Sequence, residues 1–522
     1  MYIFYSVGLG IDGGNEGSDN IWLDAQSLFD ISAKVQDARY DASYDLIQYS
    51  DKGPWSIRFT AWYLPALLHR NKGEDTERAE RAIRNILASQ MTSDYGAPWY
   101  GTFKLSPDQP DSTYKEGSLF PAKIYTTYDP NWREFIGSQL IQVLVEFPSL
   151  ISPALTTAIE DALEIAAVGA MRRNGTFPLD DNLTIGYSNP AMMRALLCGW
   201  IGERRNNATF TDFANSQGTQ ILQLFQKNGA NTLSEYNAPT YYGIDTWALG
   251  AQIKYGPKNC SMTAAAKIIL PALWKDMAEH WNGYLGNMVG PYDRAYTRDI
   301  TQHSAVLSLF LWGLFGREKT PQPLPMESDL LFDVAQGAAI ALIIADVESY
   351  IPESAKSAMT SPFTSPPRML TRTVYDELEK NKRKQRRSIC PSYRPLGRRS
   401  NHKPYPLNTF FSLYPSTSSI HAIASANKLA ISYPNRTQVG SDIFTFALSN
   451  VPPSWTLGTD RKVTGLEGLP CLDIEVKAEG LVKMNVTYGA ALRNHLFYNV
   501  SYVVPGGFEG VPEVVLGFKY TC

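Results

Sequence analysis

Three stretches with the same layout decide the fold of this chain: NGTFPLDDNLTIGYSNP (174–190), NGANTLSEYNAPTYYGID (228–245) and NGYLGNMVGPYDRAYTRD (282–299). Each opens with an Asn-Gly pair behind a long helix-like segment, and the pairs recur at a constant spacing of 54 residues, at 174, 228 and 282. Asn and Gly adopt the left-handed conformation that ends a helix, and a Pro stands shortly before each following segment. The repeat therefore predicts successive helix hairpins joined by equivalent loops.

Apolar residues recur near every 3.6 positions on both sides of these loops. One unit holds two helices of about 15–20 residues with their loops. Five or six such hairpins suffice to close a ring, so we predict an (α/α) toroid over residues 21–360, with an open solenoid as the alternative. The predicted helices are 23–35, 57–70, 74–91, 132–147, 153–173, 191–203, 210–227, 242–255, 262–281, 299–315 and 330–346.

Residues 361–522 have a different pattern, in which apolar and polar residues alternate in short runs rich in Val, Ile, Phe and Tyr. This pattern predicts a C-terminal antiparallel β-sandwich. Residues 376–403 interrupt it with a basic stretch. We interpret that stretch as a solvated, disordered insertion rather than a polyanion-binding or nuclear-localisation patch, and our hypothesis for its origin is a gene-model artefact. We expect residues 1–20 to be a truncated signal peptide or a wrong start, because they lack a basic n-region.

Composition indicates the compartment and excludes some partners. The net charge is −3, which gives the chain no electrostatic footprint for nucleic acid, and its most apolar run, 337–345, is too short to span a membrane. Glycosylation sequons point to a secreted glycoprotein. They lie at Asn174, Asn182, Asn207, Asn259, Asn435, Asn485 and Asn499.

The reactive residue types exclude several chemistries. The five Cys show no metal-ligand spacing, and they could form one or two disulfides. The six His include no HExxH pair. Neither a Gly-rich phosphate loop nor a GxSxG elbow occurs. The sequence therefore predicts no metal and no cofactor, and it disfavours nucleotide-dependent chemistry and an α/β-hydrolase.

Candidate site residues come from the repeat loops, because loops that follow equivalent helices meet at the same rim of a toroid. The predicted catalytic residues are Glu235, Tyr241, Tyr242, Asp245 and His303. The predicted substrate-binding residues are Trp99, Tyr100, Asn189, Asn237, Asp293, Arg294 and Tyr296.

Two reactions use such a set. β-Elimination at a uronic acid needs Asn, Arg or His to offset the substrate carboxylate, and Tyr or His as base and acid. Glycoside hydrolysis needs two carboxylates, about 5–5.5 Å apart for retention or about 6.5–9.5 Å for inversion. The structural alternatives stay open: Asp293 and Arg294 in a rim salt bridge, Tyr241 and Tyr242 in wall packing, and His69 and His280 as helix residues without catalytic roles.

The layout resembles the helical-toroid carbohydrate-active enzymes that carry a β-sandwich, such as the chondroitin, alginate and heparinase II/III polysaccharide lyases. Asn237, Tyr241, Tyr242, Arg294 and His303 match in type the Asn/His/Tyr/Arg set of those lyases. The segments SEYNAPTYYGIDTWAL and GPYDRAYTRD are also similar to uncharacterised secreted fungal proteins.

The resemblance implies a secreted enzyme that acts by β-elimination on an oligo- or polysaccharide containing uronic acid. Three alternatives remain: a glycoside hydrolase on the same scaffold, a toroid isomerase, dehydratase or cyclase with a small apolar substrate, and a non-catalytic glycan-binding protein. The polar loops speak against an apolar substrate.

Overall fold

The structure, a computed structural model, describes residues 16–49, 54–175, 183–282, 287–288, 305–316, 331–360, 368–375, 383–390, 410–415, 419–425, 427–435, 442–451, 465–467, 472–491 and 495–520. Helices dominate the first two thirds. They are α1 (Glu16–Asp37), α2 (Ile57–Arg70), α3 (Asp75–Ala88), α4 (Trp132–Glu146), α5 (Pro153–Met171), α6 (Ser188–Arg204), α7 (Ala208–Phe225), α8 (Pro239–Tyr255), α9 (Ser261–His280), α10 (Ala305–Phe315), α11 (Gly337–Ala341), α12 (Ile344–Glu348) and α13 (Glu353–Thr360).

Inner and outer helices alternate along the chain. The outer helix α3 buries one stripe, Ala79, Ala82, Ile83 and Ile86, at the spacing of an amphipathic helix. The helices α4, α6 and α8 are instead buried on nearly every side. A helix that is surrounded by protein all round belongs to the interior, so these three form the inner layer.

The inner helices follow one another in a ring. Contacts run from α2 to α4, α6, α8 and α10 in that order, and α1 lies against both α10 and α2. The Ser32 hydroxyl of α1 donates to the Ala335 carbonyl at 2.6 Å, across 303 residues of sequence. The first helix therefore connects the end of the helical array to its beginning.

The repeat loops have the predicted form at two of the three positions. Gly175, Asn228 and Gly229 have positive φ angles of 74°, 52° and 74°, as helix ends require. Asn282 differs, because it continues into a short strand. Two of the loops follow the outer helices α5 and α7 and lead into α6 and α8, so they lie at the N-terminal ends of these inner helices. Most of the third loop lies outside the described residues.

The predicted helix over 330–346 is wrong as a single element. The structure has a 3₁₀ segment over Leu331–Gln336 followed by the short helices α11 and α12. Gly337 brings this segment close to α1, since a Cβ there would lie 2.7 Å from the Leu28 carbonyl oxygen. Packing against α1 thus outweighs the local preference of the apolar run for one continuous helix.

The strands are mostly C-terminal. They are β1 (Tyr40–Asp41), β2 (Leu46–Gln48), β3 (Trp55–Ser56), β4 (Trp281–Asn282), β5 (Asn287–Met288), β6 (Arg368–Tyr375), β7 (Arg383–Cys390), β8 (Phe410–Pro415), β9 (Ser419–Ser425), β10 (Lys428–Asn435), β11 (Ile443–Val451), β12 (Leu472–Lys477), β13 (Val482–Lys483), β14 (Thr487–Ala491), β15 (His495–Val503) and β16 (Glu513–Tyr520).

Two antiparallel sheets form the C-terminal part. One has the order β12-β16-β10-β9, and the other has the order β13-β15-β11-β8 with β14 also on β15. Side chains from both sheets share one buried cluster, in which the rings of Tyr433 and Phe444 lie 4.5 Å apart. A mainly helical chain with small antiparallel sheets is confirmed. The terms toroid and sandwich stay predictions, supported by the ring of contacts and by this shared cluster.

The basic stretch 376–403 contains a strand where we predicted disorder. β7 covers Arg383–Cys390 and pairs in antiparallel register with β6, with Thr371 opposite Arg387. Pairing with β6 supplies the backbone hydrogen bonds that a solvated insertion would lack. The remainder of the stretch lies outside the described residues.

Several sequence features have a defined place. Cys198 and Cys260 are buried free thiols. Within the described part of the chain, no helix is long and apolar enough to cross a membrane. Of the sequon asparagines, Asn174, Asn259 and Asn485 are exposed, whereas Asn499 is buried and its amide donates to the Thr487 hydroxyl. Burial disfavours glycan attachment at Asn499.

Close helix packing gives a first prediction. A Cβ on Gly218 of α7 would lie 2.3 Å from the Met262 amide nitrogen at the start of α9, and backbone cannot move aside as a side chain can. We expect Gly218→Ala to lower the free energy of unfolding by about 1–3 kcal/mol or more. Gly137→Ala is the control, because its Cβ meets the ends of flexible side chains, Leu197 at 3.2 Å and Leu163 at 3.4 Å. Chemical denaturation measures both, and equal stability of the two variants would contradict the close crossing.

Candidate active site at the N-terminal ends of the inner helices

The candidate site lies where the loops behind α5 and α7 reach the first turns of α6 and α8. Helix α8 begins at Pro239, whose fixed φ suits a first helical position. Asn231 and Asn237 in the preceding loop have positive φ angles of 50° and 48°, a conformation that Asn tolerates better than most residues. Glu235 and Tyr236 lie between these two bends and are buried.

A serine bridges two carboxyl groups in this site. The Ser188 hydroxyl oxygen lies 3.1 Å from Oε2 of Glu235 and 2.8 Å from Oδ1 of Asp245. The Ser188 amide also donates to the same Glu235 oxygen, at 3.3 Å. The three residues come from different elements: the first turn of α6, the loop before α8, and α8 itself.

This arrangement favours a proton on the carboxyl pair. A serine hydroxyl carries one hydrogen, so it donates to only one of the two carboxyl groups. The other contact is a hydrogen bond only when that second carboxyl is itself protonated and donates to the serine oxygen. Burial raises the pKa of Asp245 well above its usual range, and the charge of Glu235 raises it further. The pair therefore holds a proton that an exposed aspartate would have lost.

Several buried polar atoms in the site lack a hydrogen-bond partner among the described residues. They include Oδ2 of Asp245 and the amide nitrogen Nδ2 of Asn189, which follows Ser188 in α6. Asn189 is 1% exposed and Asp245 is 0% exposed. Leaving such a group unpaired costs about 1–3 kcal/mol, so both atoms point to a bound molecule that would satisfy them.

The adjacent tyrosines Tyr241 and Tyr242 have different environments. The Tyr242 hydroxyl accepts a hydrogen bond from the Asn237 amide at 2.7 Å, and the side chain is fully buried. Burial, together with the charge of Asp276, raises the pKa of Tyr242 well above its usual value. The phenol of Tyr242 thus stabilises the loop before α8, and it is poorly suited to losing a proton. Tyr241 retains 7% exposure in the first turn of α8.

A buried tyrosine–histidine pair fixes the same loop from the other side. Nδ1 of His280 lies 2.7 Å from the Asp276 carbonyl oxygen and so carries the hydrogen, which leaves Nε2 to accept from the Tyr236 hydroxyl at 2.5 Å. This contact joins the loop before α8 to the last turn of α9. We expected a structural role for His280, and its contacts here are those of a loop anchor.

A polar network continues along the rim from Ser188. Nη1 of Arg173 donates to Oδ1 of Asn131 at 2.8 Å, and the Asn131 amide donates to the Tyr187 hydroxyl at 3.4 Å. Nη1 of Arg173 also lies 3.6 Å from the fully buried carboxylate of Glu134. Burial raises the pKa of Glu134, and the neighbouring arginines oppose that rise. The network places α4 and the end of α5 beside the first turn of α6.

Trp99 and Tyr100, predicted to bind substrate, lie in the loop between α3 and α4 on this same rim. The Trp99 ring is buried against Tyr114 and Tyr128 at centroid distances of 4.9 and 5.6 Å. The Tyr100 carbonyl accepts from Nε of Arg133 at 2.8 Å. Trp99 therefore supports the loop, and the more exposed rings around it form its surface.

Some predicted residues fall outside the described part of the chain. They are Asp293, Arg294, Tyr296 and His303, together with the sequon Asn182. Of the remaining site predictions, the structure brings together Asn189, Glu235, Asn237, Tyr241, Tyr242 and Asp245. It adds Ser188, Tyr236 and His280. The only sequence feature that pointed to Ser188 was its position directly before Asn189, a predicted substrate-binding residue.

The described residues show no metal cluster at this site. No group of three or more His, Cys, Asp or Glu side chains in them is arranged to hold a metal. A cleft of about 600 Å³ lies elsewhere, lined by Leu144, Val145, Pro148, Thr156, Glu160, Trp200, Glu203 and Arg204. Trp200 is 12 residues beyond Ser188 in α6, which separates the two by about 18 Å. We place the candidate chemistry at the buried polar cluster, because a carboxyl pair bridged by a serine lies there beside unsatisfied polar atoms.

Two family models match the chain. One, described as Domain of unknown function (DUF8769), matches residues 26–345, and the other, Domain of unknown function (DUF8770), matches residues 403–519. No curated protein matches the chain.

Solved structures with some similarity include three enzymes. The Streptomyces coelicolor A3 chondroitin AC lyase in complex with chondroitin sulphate has a TM-score of 0.44 and 10% identity over 98% of this chain and 81% of that one. A heparinase III has a TM-score of 0.40 and 11% identity over 97% and 85%. Endoglucanase CelQ from Clostridium thermocellum complexed with cellotriose has a TM-score of 0.27 and 8% identity over 96% and 92%. These three structures are of the enzyme class that the sequence resembles, and the function is argued below from the side chains of this chain.

Proposed function

The chain belongs to the DUF8769 family, and from that premise we propose that it is a carbohydrate-active enzyme that cleaves a glycan containing uronic acid by β-elimination. The observation that carries the proposal is the pair of buried, unsatisfied polar atoms, Nδ2 of Asn189 and Oδ2 of Asp245. The Asn189 amide is a neutral hydrogen-bond donor, and Asp245 is another when its proton lies on Oδ2 and the Ser188 hydroxyl donates to Oδ1. Together they suit a carboxylate, which only accepts hydrogen bonds.

The chemistry explains why neutral donors matter. In β-elimination the hydrogen on C5 leaves as a proton, its electron pair forms the C4–C5 double bond, and the bond from C4 to the glycosidic oxygen breaks. Negative charge builds up on the uronate carboxylate as the proton leaves. Donors that are already in place stabilise that charge without reorganisation. A carboxylic acid that burial keeps neutral can serve as such a donor.

Tyr241 is the residue that we assign as base and then as acid. It lies in the first turn of α8 beside the donors, and it keeps some exposure where Tyr242 has none. Tyr241 reacts as the phenolate: its oxygen takes the C5 proton, and the phenol so formed gives a proton to the leaving glycosidic oxygen, which regenerates the phenolate. In this proposal Asn237 lines the site, and Tyr242 and His280 hold the loop that carries Glu235.

A specific observation also supports a second candidate, a glycoside hydrolase. The contacts through Ser188 keep the nearest oxygens of Glu235 and Asp245 within roughly 6 Å, closer than the separation of about 6.5–9.5 Å that inversion needs. With one carboxyl protonated and its neighbour ionised, the pair would act as acid and nucleophile in a retaining mechanism. Hydrolysis by this pair assigns no role to the unsatisfied amide of Asn189, and we therefore rank hydrolysis second.

Secretion and glycosylation complete the proposal. The exposed sequon asparagines Asn174, Asn259 and Asn485 are the glycan positions that we favour, and Asn207, Asn435 and Asn182 stay predictions from the sequence. An extracellular location suits a polysaccharide substrate.

A polysaccharide panel tests the proposed reaction. Purified protein is incubated with polyuronates, glycosaminoglycans and neutral glucans, while ultraviolet absorbance of the unsaturated product and the formation of reducing ends are followed together. Absorbance that rises in step with reducing ends is the expected result for uronate-containing chains. Reducing ends without absorbance would favour hydrolysis, and cleavage of neutral glucans alone would overturn β-elimination.

Replacement of Asp245 by Asn separates the two reactions. Asparagine keeps a neutral donor at this position, so we expect Asp245→Asn to retain elimination within about tenfold, whereas loss of a general acid lowers hydrolysis by about 10²–10⁴-fold. In the wild type, elimination should fall as pH rises and the shared proton leaves the pair. Asp245→Asn should lack that decline, and pH profiles of kcat/KM measure it. An equally steep decline in the variant would contradict the proton-sharing role.

The contribution of Asp245 to stability, like the rate of elimination, should fall as pH rises. The pKa of Asp245 is raised in the folded state. Its contribution to the free energy of unfolding is therefore fully present below the pKa of the unfolded state, about 3.9, and is lost as pH rises through the pKa of the folded state. Asp75→Asn is the matched control, since Asp75 has a lowered pKa beside Arg70 and loses its contribution as pH falls. Thermal unfolding across pH compares the two variants with the wild type.

A further inference from the structure

Exposed tyrosines concentrate on one loop of the rim. Among the described residues of the α3–α4 loop, Tyr95 and Tyr114 are 66% and 63% exposed, and Tyr125 is 46% exposed. The Tyr95 ring packs edge-on against Tyr100, with centroids 5.0 Å apart. Large rings at the surface are ordinary when single, but a group of them beside a polar site indicates a binding surface.

A cation lies between two of these rings. The Arg172 guanidinium lies 3.8 Å from the centroid of the Tyr95 ring and 5.1 Å from that of Tyr100. Its Nη1 donates to the Tyr95 carbonyl oxygen, which fixes the side chain across the loop. The rings and this hydrogen bond hold the positive charge in a defined position before any ligand arrives.

Among the residues that the structure describes, Arg172 has no acidic partner, in contrast to six other arginines. Within the described residues, Arg70, Arg78, Arg81, Arg84, Arg204 and Arg205 all pair with carboxylates, whereas no carboxylate lies within 4.0 Å of Arg172. The acidic residue nearest to Tyr95 in sequence, Asp94, instead accepts from the Gly96 amide at 3.0 Å. The charge of Arg172 is thus available to an anion from solution.

The position of Arg172 connects it to the candidate site. The next residue, Arg173, donates to Asn131, and Asn131 donates to Tyr187, directly before Ser188. Arg172 and Arg173 are consecutive just past the end of α5, so the Tyr95 and Arg172 surface adjoins the buried network that reaches Tyr187. A sugar chain longer than the reacting unit would extend onto this neighbouring surface.

We propose that Arg172, Tyr95 and Tyr100 form an outer subsite that binds an anionic sugar of a polymeric glycan, away from the reacting unit. The guanidinium pairs with a carboxylate or sulfate on the sugar, and the Tyr95 ring stacks on the apolar face of the pyranose. The inference rests on the proposed function for its substrate class. It adds that the enzyme takes polyanionic chains rather than isolated disaccharides.

Affinity electrophoresis in gels containing polygalacturonate, dextran sulfate or neutral dextran tests the subsite without any turnover. We expect Arg172→Ala to bind the polymer that the wild type prefers about tenfold more weakly, a loss typical of a central charged contact. Tyr95→Ala should weaken the same binding several-fold. Arg204→Ala is the control, because Arg204 already pairs with Glu160 at 2.7 Å, beside the distant cleft. Thermal unfolding checks that each variant is folded.

The three polymers distinguish the anion. Retardation by polygalacturonate alone identifies a carboxylate, retardation by dextran sulfate alone identifies a sulfate, and both support a general anion subsite. Equal retardation of Arg172→Ala and wild type, or a loss of equal size on neutral dextran, overturns the subsite. Polygalacturonate and dextran sulfate binding that depends on Arg172, without elimination of any polysaccharide, would keep the subsite and reject the proposed reaction. Elimination of long chains that is unaffected by Arg172→Ala would keep the proposed reaction and reject the subsite.

Discussion

Tyr241→Phe is expected to lower kcat on a uronate polysaccharide by about 10²–10⁴-fold and to leave the melting temperature close to that of the wild type. The change removes one oxygen, which in our proposal takes the C5 proton and returns it to the leaving group. KM should change little, because the ring and its position in the first turn of α8 are kept. Initial rates of ultraviolet absorbance give kcat, and differential scanning calorimetry gives the melting temperature.

Tyr242→Phe is the matched control, one residue further along the same helix. It removes the acceptor of the Asn237 amide, so a buried donor is left unpaired at a cost of about 1–3 kcal/mol. We therefore expect a lower melting temperature from Tyr242→Phe, with any loss of kcat following from the loosened loop. If Tyr242→Phe abolished turnover with unchanged stability while Tyr241→Phe remained active, our assignment of the two tyrosines would be reversed.

The second large effect concerns Asn189. Asn189→Leu keeps the size of the side chain and removes the amide donor, so we expect kcat to fall by about 10²–10³-fold, as for the loss of one donor to a developing negative charge. Stability should stay the same or rise, because the variant no longer buries an amide without a partner among the described residues. Lower activity together with equal or higher stability is expected when a residue serves function at a cost in stability.

Gln252→Leu gives the comparison for a buried amide that has a partner. Nε2 of Gln252 donates to the Thr263 hydroxyl at 2.8 Å, so its loss should destabilise the fold. Denaturant unfolding of both variants separates the two cases. A drop in stability for Asn189→Leu as large as that for Gln252→Leu would identify Asn189 as a structural residue and remove the donor from our mechanism.

Helices were predictable from sequence where one pattern governed a whole element. The predicted helix 57–70 coincides with α2, and 132–147 and 153–173 extend past α4 and α5 by one and two residues. Apolar spacing and the Asn-Gly ends are local signals, and they suffice when packing agrees with them. The segment 330–346 failed because contact with α1, about 300 residues away, decides its backbone, and no local pattern carries that information.

The candidate site was predictable only in part, for the same reason. The spacing of the repeats identified Glu235 and Asp245 as residues of one rim. Ser188, which bridges them, lies 47 and 57 residues away in sequence, and a serine before a helix normally indicates nothing more than a cap. The unpaired charge of Arg172 is likewise a property of its surroundings. Residue type and spacing select candidates, and burial and partners decide among them.

The contact between α1 and the segment before α11 has a consequence for the order of events during synthesis. Ser32 leaves the ribosome early, but its partner carbonyl at Ala335 is translated 303 residues later. At about 5–20 residues per second, the first helix waits tens of seconds with its apolar face uncovered. Closing so long a loop adds only a modest entropic penalty, so the delay rather than the free energy is the hazard. We infer that a chaperone which shields α1 during translation would raise the yield of folded protein more than one that acts after release.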